Sequence, residues 1–138
     1  MRNSGSAIVF FASTYVKLQE AYFSESNAVG SWKLIGYVSP GATSASTEGA
    51  TTNFGYLAAN PEANGETVAI STLSSEGTKV WGARNLVALN DCAAQASDAI
   101  DKANWTISIT ANSNGNSVSY AAATNCPQLT PTFDKIGQ

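Results

Sequence analysis

The stretch Ala7-Ile8-Val9-Phe10-Phe11-Ala12-Ser13-Thr14-Tyr15-Val16-Lys17-Leu18-Gln19-Glu20-Ala21-Tyr22-Phe23 carries more apolar surface than a helix on one small domain should need. At about 100° per residue, Ile8, Phe11, Tyr15, Leu18 and Tyr22 form one stripe, with the i, i+3, i+4, i+7 recurrence of a helix. Val9, Ala12, Val16 and Phe23 form a second stripe beside it. Together they cover about half the circumference, against the ~100° that packing on a single core requires. Phe10 lies outside even that arc, on the Lys17 side. So wide an apolar surface predicts two partners, the domain's own sheet and either a second copy or further apolar helix. Ile8, Val9, Phe10, Phe11, Ala12 and Tyr15 are the expected assembly face.

Downstream of the helix, the segment to Thr52 is punctuated by Asn27, Gly30, Pro40, Gly41 and Gly49, and only Lys33 to Val38 has strand character. From Asn53 the apolar period changes from 3.6 to 2. Phe54, Tyr56 and Ala58 begin a strand that ends at Asn60-Pro61, and Asn64-Gly65 signals a hairpin into a second strand from Glu66 to Leu73. A turn at Ser74–Gly77 leads to a third strand, Thr78 to Leu86, with Val80 or Trp81 inward. Ala93 to Ala103 is a short helix candidate. Trp105, Ile107 and Ile109 then alternate with Thr106, Ser108 and Thr110 in the cleanest strand of the chain, which Asn112–Gly115 turns back into Val118–Tyr120. The expected fold is α+β: a long N-terminal helix packed on an antiparallel meander of about four strands, with a disulfide-closed C-terminal region. The boundaries are helix 7–26, connecting loop 27–52, sheet 53–89 and C-terminal region 90–138, while Met1–Ser6 reads as an expression leader outside the fold.

At 138 residues the chain suits one domain. Charged residues make up only 12% of it, against a typical ~25%. Ser, Thr, Asn, Gly and Ala fill the difference, a composition common in secreted and surface-displayed proteins. The net charge is −3 and the seven basic residues are dispersed, so no stripe could track a phosphate backbone and no nucleic-acid partner is expected. Cys92 and Cys126 are the only cysteines. In a cytosolic protein they could be two unrelated buried thiols; in an exported one the default is a single disulfide.

The chain has no histidine, which removes Ser-His-Asp and Cys-His chemistry, and its carboxylates mostly fall in turns or on polar helix faces. No enzyme and no cofactor is expected. Asp91, Asp98 and Asp101 could offer oxygens to calcium, but no loop has the alternating ligand spacing, and solvation of a helix accounts for them. Trp81 and Trp105 lie in alternating strands and belong to the core. Trp32, in a Gly-Ser-Trp-Lys loop, is the candidate carbohydrate contact. Asn104-Trp105-Thr106 has N-glycosylation spacing.

The order of these parts resembles the soluble portion of a type IV pilin or pseudopilin. Tyr15-Val-Lys-Leu-Gln-Glu-Ala-Tyr-Phe23 followed by Val29-Gly-Ser-Trp32 and Ile35-Gly-Tyr37 looks like a pilin helix running into its loop. Asn53-Phe-Gly-Tyr56 looks like the first sheet strand, and Cys92 with Cys126 like the pair that closes the variable C-terminal region. The family's basic leader, its processing site before Phe and its ~25 apolar residues carrying a Glu have no matching positions here. Ile8 to Phe11 are therefore expected to be the stump of a longer helix. The resemblance implies an extracellular filament subunit, held in the inner membrane through the missing helix before assembly. Its partners would be further copies of itself, other pilins and the assembly machinery. A pseudopilin of a type II secretion system is the same-fold alternative, some members of which use calcium. A secreted carbohydrate-binding module is the rival of another class.

Overall fold

The computed structural model describes residues 2–42, 49–51, 53–58, 67–69, 77–88, 92–95, 100–112, 117–127 and 129–136. Helix α1 runs Arg2–Ser26. It starts at Arg2 rather than Ala7, so the segment expected to lie outside the fold continues the helix. It stops at Asn27, whose backbone is left-handed (φ 57°) and whose N–H bonds the Phe23 carbonyl at 2.8 Å. Asparagine is one of the few residues that tolerates that conformation.

The next elements are strand β1 (Ala28–Gly30) and a single helical turn, α2 (Trp32–Ile35). The strand expected at Lys33–Val38 is therefore corrected: 33–35 belong to this helical turn, Gly36 caps it, and 37–38 form no regular element. The caps explain why: the Ser31 hydroxyl accepts the Leu34 N–H, and Gly36 closes the turn at φ 79°, where a side chain would be strained. Strands β2 (Phe54–Ala58), β3 (Thr67–Ala69), β4 (Thr78–Asn85), β5 (Trp105–Ala111) and β6 (Val118–Thr124) follow.

A four-stranded antiparallel sheet has the order β2-β4-β5-β6. The expected meander is corrected at its second strand, because β3 leaves the main sheet and pairs antiparallel with β1, Val29 opposite Val68. The pairing partner lies 39 residues away in sequence, so nothing local could announce it. The turns expected at 61–65 and 113–115, and most of the Ser74–Gly77 turn, lie outside the described residues, as do 70–73 of the expected second strand.

Trp105, Ile107 and Ile109 are fully buried, as their alternation predicts. Both Val80 and Trp81 are buried, because the β4–β5 register shifts between Lys79 and Trp81 and a bulge turns successive side chains inward. An aromatic layer joins the sheet to the elements above it. Trp81 meets Tyr56 at 5.9 Å and Phe133 at 6.3 Å between ring centroids, and Tyr37 lies edge-on to Tyr15 at 5.5 Å and to Trp32 at 4.9 Å. On the opposite face of the sheet a Cβ at Gly82 would sit 2.9 Å from Ile100 Cγ1 and 3.3 Å from Ala103 Cβ. The missing side chain lets the 3-10 turn Ile100–Lys102 lie flat on β4. In place of the helix expected over Ala93–Ala103, residues 93–95 are irregular and only that turn is helical; 96–99 lie outside the described residues. Cys92 and Cys126 form a disulfide with their Cα atoms 5.6 Å apart.

Candidate functional site

The helix expected to carry an assembly face is anchored by a buried arc much narrower than its apolar one. Ile8, Ala12, Tyr15, Val16 and Gln19 are buried, and at about 100° per residue they span close to 100° with Gln19 near the middle. Three of the expected assembly residues, Ile8, Ala12 and Tyr15, therefore belong to the domain's own core, a correction to the sequence expectation. Val9 and Phe11 are half-buried against that core, and Phe11 lies edge-on to Tyr56 at 6.3 Å. Phe10 alone of the six is open, at 64% exposure, and its ring meets Phe11 edge-on at 5.1 Å. Leu18 and Tyr22, on the same flank as Phe11, are also only half covered.

Gln19, a polar residue at the centre of this arc, is what sequence reasoning missed. Its Nε2 donates to the Gly30 carbonyl (2.9 Å) and to the Tyr15 hydroxyl (2.9 Å), while its Oε1 accepts the Gly30 N–H (2.8 Å). The signal was legible: glutamine one turn beyond Tyr15 on the same stripe must be satisfied if it is buried. Above it, Tyr37 donates its hydroxyl to the Phe11 carbonyl (3.3 Å) and accepts the Trp81 indole N–H (2.9 Å). Burial pushes the Tyr37 hydroxyl far above the ordinary phenol range; the Trp81 bond opposes that and the charge of Tyr56 adds to it.

Trp32 is fully buried and its indole N–H donates to the Val80 carbonyl (3.2 Å). An enclosed ring has no face for a sugar, so the carbohydrate contact is corrected to a core residue. Asn104 is likewise engaged: its Nδ2 donates to Asn85 Oδ1 (2.6 Å) and to Cys92 Sγ (3.6 Å). In the folded chain this amide is not presented for glycosylation.

Asn85, fully buried at the end of β4, organises the loop that carries Cys92. Its Nδ2 reaches the carbonyls of Val87 (3.0 Å), Cys92 (3.1 Å) and Ala93 (2.8 Å). Gln95 joins the cluster by accepting the Asn104 N–H on its side chain (2.9 Å). The disulfide is thus seated in a ring of amides rather than in bare hydrocarbon. Asp91 and Asp98 lie outside the described residues and the Asp101 side chain does too; among the described residues no group of carboxylates, cysteines or histidines could hold a metal. No helix among the described residues is long and apolar enough to cross a membrane.

An open groove of about 490 Å³ runs between α1 and the C-terminal turn Phe133–Lys135, lined by Val16, Lys17, Glu20 and Lys135 among others. Both ammonium groups sit on exposed side chains, so it offers solvated charge rather than a shaped site. Compared with protein-family models, with curated proteins and with solved structures, the chain matches none.

Proposed function

We propose that the chain is the globular part of a structural subunit of an extracellular type IV pilus-like filament. In this reading α1 is the shaft, lying along the core face of the sheet through the Phe11, Tyr37, Tyr56 and Trp81 layer. Copies associate by burying the flank that the domain leaves half covered. The observation that supports it is the mismatch on α1: an apolar arc of about 180° of which the domain buries about 100°, with Phe10 open beside it. The disulfide-closed C-terminal region agrees with the same plan. Partners would be other copies and the assembly machinery, and the loop after α1 and the Cys92–Cys126 region would face neighbours or solvent.

The native coding sequence upstream of these residues tests it. An apolar helix of ~25 residues behind a short basic leader supports the proposal; a conventional cleaved signal peptide would falsify it. In solution, association should weaken in Phe10→Ser while the folded sheet persists.

A further inference from the structure

The two sulfurs of the disulfide have unequal surroundings. Asn85 presents its Nδ2 to the carbonyls of Val87, Cys92 and Ala93, at 3.0, 3.1 and 2.8 Å. Carbonyls only accept, so the orientation of that amide is fixed and its Oδ1 faces Asn104. Asn104 must then offer its own NH2 group there, at 2.6 Å. An amide nitrogen carries two protons, and the same nitrogen lies 3.6 Å from Cys92 Sγ. A chain of amides therefore decides that a donor, and not a carbonyl, stands beside this sulfur. Gln95 steadies the arrangement by accepting the Asn104 backbone N–H at 2.9 Å.

Cys126 is held by its backbone instead. Its N–H donates to the Thr124 hydroxyl at 2.9 Å, and its carbonyl accepts the N–H groups of Leu129 at 3.1 Å and Thr130 at 3.2 Å. Among the described residues no group donates to its sulfur.

We infer that Cys126 is the site at which a low-molecular-weight thiol enters this disulfide, with Cys92 as the leaving sulfur and Asn104 as the residue that sets the direction. The attacking thiolate forms a bond to Cys126 Sγ while the Cys92–Cys126 bond breaks, and the electron pair of that bond leaves on Cys92 Sγ. The products are a mixed disulfide on Cys126 and a Cys92 thiolate, so one thiolate is consumed and one is released. Exchange is faster when the departing thiolate is better stabilised, and a hydrogen bond to the charged form stabilises it. The same amide stands against Cys92 and hinders approach to that sulfur. Both effects favour entry at Cys126.

Both cysteines are largely covered, so exchange waits on local opening. Opening of the loop after β6 leaves the contacts among Asn85, Asn104 and Cys92 in place, since none of them involves that loop. Opening sets how fast exchange runs, and the amide sets which sulfur is taken. Cys126 is then a site of reversible thiolation. The inference is independent of the filament reading.

The test treats the oxidised chain with excess glutathione under native conditions, quenches in acid at intervals, alkylates the freed thiol at low pH and locates glutathione by peptide mass spectrometry. The first mixed disulfide should favour Cys126 over Cys92 by roughly fivefold or more. In urea, where the amides are dispersed, that preference should vanish. Folded Asn104→Ala should react faster yet without preference, whereas a merely structural role would change the rate and leave the ratio. If Asn104→Ala does not fold, the comparison of wild-type chain in buffer and in urea decides alone. Four results would overturn the inference: equal labelling or a preference for Cys92, the same preference in urea, a preference that survives in folded Asn104→Ala, or exchange only in chain that has unfolded.

Discussion

The side-chain amide of Gln19 pairs with both backbone groups of Gly30, as a neighbouring strand would, with bonds of 2.8 and 2.9 Å. This contact between the helix and the ribbon depends on Gly30 having no side chain. A Cβ there would lie 2.7 Å from the Tyr22 ring and 3.1 Å from Ile35 Cγ2. The glycine lets α1 approach and the glutamine satisfies what the approach buries.

Gln19→Ala should therefore destabilise the chain by about 2–4 kcal/mol, since it strands the Gly30 N–H and C=O away from water. Urea unfolding measures it. Gln19→Glu adds a pH signature. Burial raises the folded pKa of the new carboxyl above its unfolded value of about 4.3. The variant's stability is then greatest in acid and falls as pH rises through that folded value. A Gln19→Glu profile parallel to wild type would show that the site is open to water.

Gly30→Ala should cost about 1–3 kcal/mol through the displaced Tyr22 ring. Tyr22→Ser in the same chain should return part of that loss, giving a coupling energy in a double-mutant cycle. Additive effects would place the clash elsewhere.

The two phenylalanines at the start of α1 should separate. Phe10→Ser leaves stability within about 0.5 kcal/mol of wild type, as an exposed position does. Phe11→Ser, which removes a ring packed on Tyr56, costs about 1–3 kcal/mol. Thermal unfolding of the pair distinguishes a surface aromatic from a core one.

Burial raises the Tyr56 hydroxyl to about 12, and raises those of Tyr37 and Tyr120 beyond it. Unfolded tyrosine ionises near 10, so above that pH the unfolded chain has released protons that the native chain still holds. The contribution of these tyrosines to stability should be lost as pH rises from about 10 toward 12 and above. Tyr56→Phe should flatten the first part of that slope, measured as unfolding free energy against pH.

Much of the fold was legible because its signals are local. Trp105, Ile107 and Ile109 alternate strictly, and the structure buries all three. The apolar arc of residues 7–23 is a helix, and the two cysteines pair. What was illegible depends on distant partners. The pairing of β1 with β3 and the enclosure of Trp32 beneath Val80 are set by chain segments far away in sequence. The turn at Trp32–Ile35 is different: Ser31 and Gly36 bracket it as helix caps, but the apolar run between them resembles a strand when the caps are overlooked. At the candidate site, the width of the apolar arc was legible, while the share claimed by the domain was not. That share is fixed by the depth of the Gln19–Gly30 contact, not by hydropathy.

The crosslink between Cys92 and Cys126 also decides how the molecule would bear a pull. It joins the loop after β4 to the loop after β6, and the whole of β5 and β6 lies between its ends. Tension entering from the tail passes through sulfur to the β4 side and bypasses the hydrogen bonds that hold the outermost strand. The span so closed, a sequence separation of 34, would otherwise unravel to roughly 110–120 Å of slack chain; with the bond in place, that length cannot be paid out.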